Sequence, residues 1–218
     1  MAWLLVTHIA VLGYWLGSEF VINATYRYVC YHDEMAFEDR TRLMDHVMHV
    51  DQHVRYALVL QVGLGLMLCA RIGFIPGRQT LFISSAIAMI LWLVFVEVVH
   101  RLRNHGIGKR LAAIDRWTRY LLLVALLAVA GGLIGGDWPL PAWLKWKLAL
   151  FAGVVACGVG IRFALITHFR TWAEMTRTGV TAARNAAIKR SYIRATSVLV
   201  LLWVFLAGTV ILSVMKPA

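Results

Sequence analysis

The chain has 218 residues, is 61% hydrophobic, has a mean hydropathy of +0.72 and carries a formal charge of +11. Soluble globular domains are only about half apolar, so this composition excludes one and points to membrane-embedded helices. The charge does not point to nucleic acid either, because 17 of the 22 Lys and Arg fall in residues 27–55, 101–119 and 162–194.

Six apolar stretches run in chain order over residues 3–24, 54–73, 81–99, 120–136, 143–167 and 196–215. A hydrocarbon core of about 30 Å takes about 20 such residues per helix. With six spans, the three basic segments share one side, and only Arg71, Arg78, Lys145, Lys147 and Lys216 lie on the other. The positive-inside rule makes the basic side cytoplasmic and turns both termini outward. Residues 1–218 then read as one transmembrane domain of a bacterial-type inner membrane, with no room for a soluble head.

The first span carries His8, Trp15 and Glu19. It has no basic n-region and no small-x-small cleavage site, so it does not read as a cleavable signal. A carboxylate within a span must be paired, protonated or placed at a water-filled cavity, which makes Glu19 a candidate for proton or substrate handling. Residues 26–52 and 172–192 keep helical spacing, so spans one, two, five and six are expected to continue as helices into the cytoplasm. The turn signals Ile75-Pro76-Gly77-Arg78 and Gly135-Gly136-Asp137-Trp138-Pro139 mark tight outer connections.

Seven of the eight histidines fall on the cytoplasmic side. His46, His49 and His53 lie within about 60° of one another on a helix, a stripe able to bind iron, copper or haem. A solvated interfacial face is the plainer reading. Span three ends in Glu97-Val-Val-His100, the Glu-x-x-His pair of helical di-iron proteins, although Glu97 can equally pair with Arg101 at i+4. His100 and His53 should emerge at similar depth and jointly hold an iron. Arg55, Arg101 and Arg119 are placed to pair with haem propionates, since guanidinium forks match carboxylates. A weak repeat, Asp51-x-x-x-Arg55-Tyr56 and Asp115-x-x-x-Arg119-Tyr120, suggests three related hairpins. Cys30, Cys69 and Cys157 form no CxxC, and no phosphate loop, GxSxG, HExxH or CxxCH motif is present.

Two ends of the chain resemble a known family. His8-Ile-Ala-Val-Leu-Gly-Tyr-Trp15-Leu-Gly17 with Tyr31-His32-Asp33-Glu34, Trp143-Leu-Lys-Trp-Lys147-Leu, Arg194 and Lys216-Pro217 resemble the non-flavin, integral-membrane protoporphyrinogen oxidases. More loosely, they are similar to the copper-resistance D membrane proteins. The resemblance implies a helical, haem b-associated membrane protein in which His8 and Lys147 are functional. The chain departs from the family in its extra hairpin, spans two and three, and in Ser197 and Val198 where the family has Asn-Glu.

Together these features lead us to expect an all-α, six-helix membrane bundle that binds b-type haem and acts in electron transfer or oxidoreduction. Its small-molecule partner would be a quinone or a porphyrin-like compound. Iron would be held by His53 and His100, with His8 as a second site and Glu19 and Lys147 handling substrate or protons. The alternatives are a metal-ion (copper) permease using His46, His49, His53 and Met48, or an accessory subunit docking on a larger membrane complex; copper or iron in place of haem would be bound among His46, His49, His53 and His100. Nucleic acid is not an expected partner.

Overall fold

The computed structural model describes residues 1–103 and 105–217. Among them six α-helices run in order: α1 Ala2–Tyr31, α2 Phe37–Ile72, α3 Arg78–Arg101, α4 Gly108–Ala130, α5 Ala142–Thr178 and α6 Ala182–Met215. Five of these, all except α4, are long and apolar enough to cross a membrane. The all-helical form follows from the solvent: in lipid each backbone N–H and C=O must be satisfied within its own segment.

The expected fourth span is the one that differs. Its helix stops at Ala130, and residues 131–141 form a turn in place of the last part of the span. Gly132 and Gly135 take positive φ of 74° and 67° there, and a Cβ on Gly135 would sit 2.1 Å from the Trp138 ring. Glycine alone permits that fold-back. The amino-terminal half of α4 carries Lys109, Arg110, Asp115, Arg116 and Arg119, which leaves only its carboxy-terminal half strongly apolar.

Helix backbones approach each other in chain order, α1 on α2, α2 on α3 and so on to α6, and α6 returns to α1. The result is a closed ring in which α2 and α5 face each other across the middle without backbone contact. The most extensive pair is α5 with α6. Small residues bring them together: a Cβ at Gly153 would lie 3.0 Å from the Phe205 ring. Close approach at glycine is what drives helix association where no hydrophobic effect operates between helices.

The core has two storeys. In the bilayer half, Trp15, Ala57, Leu58, Val154, Val155, Leu202 and Leu206 pack together. Below them α1, α2, α5 and α6 continue, as the helical spacing predicted, into a second cluster of Tyr26, Val29, Met44, Val47, Trp172, Met175 and Ile188. Arg40 is fully buried here. Its Nε donates to the Val29 carbonyl at 3.0 Å, its Nη1 donates to Asn185 Oδ1 at 3.1 Å, and its guanidinium lies over Trp172. One side chain thus joins four helices. Outside the spans, Lys189 Nζ donates to Asp33 Oδ2 at 3.1 Å, and this holds the Asp33 carboxyl below its usual range. The tie is therefore present at neutral pH and is lost only as acid protonates Asp33.

Replacing Gly153 by Leu should overpack the α5–α6 contact and cost about 1–3 kcal/mol. The measurement is thermal unfolding of the detergent-purified protein followed by size-exclusion fluorescence. An unchanged midpoint would mean that the two helices are not in close contact at this point.

Candidate functional site

The ring encloses a cavity of about 800 Å³, lined by α1, α2, α4, α5 and α6 but not by α3. Its walls are mostly apolar, with Ile22, Val54, Leu58, Val155, Leu199 and Leu202 among them. Against this background stand five arginines, Arg55, Arg116, Arg119, Arg162 and Arg170. The acids facing them are Glu19 and Asp51, with Asp115 adjoining. Five guanidinium charges against three carboxylates leave a basic excess of two.

The arginines are organised around Asp115, whose side chain is 3% exposed. Arg119 Nη2 donates to Asp115 Oδ2 at 3.3 Å, and Arg55 and Arg162 each lie 3.7 Å from the same oxygen. Arg55 also pairs with Asp51 at 3.1 Å. The two Asp-x-x-x-Arg segments noted in the sequence therefore meet across the cavity wall, one from α2 and one from α4. Arg119 Nε is buried and has no partner. Clustered cations in a low-dielectric setting repel strongly, so an anion between them is stabilising.

Glu19 is buried and faces the cavity. It accepts a hydrogen bond from Trp15 Nε1 at 3.2 Å, so its partner is the preceding turn of its own helix. His8 lies further out on the same helix face. Its Nδ1 is buried without a partner, Gln61 Nε2 donates to its backbone carbonyl at 3.1 Å, and Gly65 lies opposite the ring. Lys147 is close enough to act electrostatically on both His8 and Cys69. The two residues singled out by resemblance, from helices far apart in the chain, therefore lie within electrostatic range of each other.

The remaining histidines are elsewhere. His53 is exposed and shares a 2.6 Å hydrogen bond with Tyr14. His100 has His49 beside it, ring centres 5.7 Å apart, and His46 is exposed. Glu97 bonds to Tyr56 and accepts from Arg101 at 2.5 Å, so the i+4 ion pair is formed and Arg101 points away from the cavity. His53, His100, His49 and His46 do not line the cavity, whose soft donors are the sulfurs of Met44 and Met48. Among the described residues no three His, Cys, Asp or Glu side chains come together as a metal-binding group. His168 is buried, hydrogen-bonded through Nδ1 to Tyr26 and stacked on Trp172, with Nε2 unpartnered.

Arg162 and Asp115 are the site residues that sequence reasoning passed over. Arg162 reads in the sequence only as the first residue of the basic segment 162–194, yet it interrupts the apolar run Val159-Gly160-Ile161-Arg162-Phe163-Ala164-Leu165. A cation inside an apolar run needs an anion, and Asp115 is the one it finds. No protein-family model matches the chain, and neither the curated proteins nor the solved structures contain a match.

Asp115→Asn keeps the shape but removes the charge shared by three arginines. It should destabilise the fold by about 3–5 kcal/mol, the cost of leaving buried charges uncompensated. Asp51→Asn should cost less, since Asp51 approaches Arg55 alone at salt-bridge distance. Equal melting temperatures for Asp115→Asn and the parent would refute the assignment of Asp115 as the central counter-ion.

Proposed function

We propose that this chain is a multi-pass membrane protein that binds a tetrapyrrole and serves oxidoreduction, either as a haem b protein or on a porphyrin-type substrate. The observation that carries the reading is the cavity: apolar walls bearing five arginines against three carboxylates, with Arg55, Arg119 and Arg162 gathered on Asp115 and Arg116 and Arg170 exposed at the rim. A planar apolar macrocycle bearing two carboxylates matches that balance, and guanidinium forks are the groups that pair with carboxylates in two-point contacts. The resemblance to the membrane protoporphyrinogen oxidases supports the same ligand class, and the closeness of Lys147 to His8 supports a shared role for them.

An imidazole ligand for haem iron requires a free ring nitrogen. His8 offers one, buried and unpartnered, at bilayer depth. This favours His8 over the expected pair His53 and His100, because its free nitrogen is withdrawn from solvent whereas His53 is exposed and His100 half-buried; none of the three lines the cavity. When bound, haem supplies one-electron chemistry at its iron, with a quinone as a suitable membrane acceptor. Glu19, in the cavity wall with one hydrogen bond from Trp15, is the group to take or give a proton there. Lys147 adds positive charge near His8 and favours an anionic group at that end.

For topology we infer six spans, with both termini outside a bacterial-type inner membrane, from the one-sided distribution of 17 of 22 basic residues. The short outer half of α4 would then span by virtue of its turn, residues 131–141, reaching the far interface.

The test is the absorption spectrum of protein purified in mild detergent after haem-replete expression, as isolated and after dithionite, with metal analysis. A Soret band that shifts on reduction is expected, and it should be lost in His8→Ala but kept in His53→Ala and His100→Ala. Retention in His8→Ala with loss in the other two would restore the original ligand pair. A colourless protein that binds protoporphyrin would leave the substrate role. A colourless protein with bound copper would favour the permease. For ligand binding, Arg119→Leu should lower protoporphyrin affinity by roughly tenfold, the value of one charge-assisted contact.

A further inference from the structure

The cavity wall is not closed on all sides. Most of its lining side chains are buried or half-buried, but Arg116 on α4 and Phe163, Ile166, Arg170 and Ala173 on α5 are exposed. These five lie along one seam, between the amino-terminal half of α4 and the cytoplasmic half of α5. The helix lengths explain the gap: α5 has 37 residues and α4 only 23, so the far part of α5 runs on without α4 to cover it. Phe163 and Ile166 are 62% and 45% exposed, a surface suited to acyl chains rather than water. The two mouth arginines lie at the basic end of the bundle, at headgroup depth.

We infer that the cavity is loaded sideways from the cytoplasmic leaflet, through the α4–α5 seam, by an amphiphile whose acidic groups pass from Arg116 and Arg170 at the mouth to Arg119 and Arg162 inside. The inference rests on the reading of the cavity as a ligand site and adds the route and the acidic character of the ligand. Each stage has its own physical cause. Exposed cations of one sign raise the local concentration of an anion and so its rate of capture. An apolar seam lets the body of the molecule follow without crossing water. Within the ring, the orphan Nε of Arg119 gives an acid group a partner that the bilayer does not offer. A partly hydrophobic anion gains at every step, whereas a neutral ester gains only the apolar part.

The experiment uses the full chain in nanodiscs of zwitterionic lipid, with protoporphyrin as the fluorescent dicarboxylate probe and its dimethyl ester as the neutral control. The dicarboxylate should bind and the ester should bind at least about tenfold more weakly. Two mouth variants, Arg116→Gln with Arg170→Gln, and Ala173→Trp, change exposed side chains, and their melting temperatures verify that they fold. The charge variant should associate roughly tenfold more slowly at low salt, a difference that shrinks as salt is raised. Ala173→Trp should slow association and dissociation together. Parent-like rates in both variants would overturn the lateral route while leaving the cavity reading intact. Failure of both probes to bind the parent protein would overturn both. If the purified protein instead releases a stoichiometric anionic phospholipid whose exchange is slowed by the same variants, the route stands and the tetrapyrrole reading falls.

Discussion

Asp115 is the point on which the rest of the structure depends. Its side chain is almost fully withdrawn from solvent, and three guanidinium groups from α2, α4 and α5 converge on it. A charge in that position cannot be held by one partner in a membrane setting, because its desolvation penalty exceeds the attraction of a single pair. Shared among three arginines it becomes a clasp that sets where α2, α4 and α5 stand. It also leaves more cation than anion, and the surplus faces the cavity. Structural role and binding potential have the same origin.

The ring topology makes that surplus usable. Because helix backbones approach only their chain neighbours, apart from the closure of α6 on α1, the middle of the bundle is left to side chains. The apolar cluster around Trp15 and Leu202 closes part of the centre, and the helical extensions of α1, α2, α5 and α6 close the base around Arg40 and Trp172. What lies between is an apolar space with an arginine floor. The shortness of α4 opens its side to the bilayer. A polar network that is largely satisfied is rigid, and its few unsatisfied donors, such as Arg119 Nε, are the places where a ligand would gain most.

The histidines show how a strong sequence pattern and a site can part company. His46, His49 and His53 do share a stripe, but that stripe faces outward, toward α3 and the exposed surface, and its contacts are Tyr14 and His100. A helical period says which residues share a face; it does not say what the face meets. Glu97 likewise found the i+4 arginine that its own helix provided. His8 carried no local pattern, only a resemblance, and its Nδ1 ends up withdrawn from solvent and unpartnered, within electrostatic range of Lys147.

The all-helical class, the apolar stretches, the helical continuation of spans one, two, five and six into the arms, and the weight of basic residues at one end were all legible in residue order. Each is set by local composition acting against a uniform solvent, the bilayer. The early end of α4 was written less clearly in the glycines from Gly131 to Gly136, of which Gly132 and Gly135 take positive φ in the folded turn. The meeting of Asp115 with Arg55 and Arg162, the neighbourhood of His8 and Lys147, and the cavity with its open seam were decided by tertiary structure alone. They bring together residues tens of positions apart, and their positions follow from how six helices close into a ring, a constraint that no single segment contains.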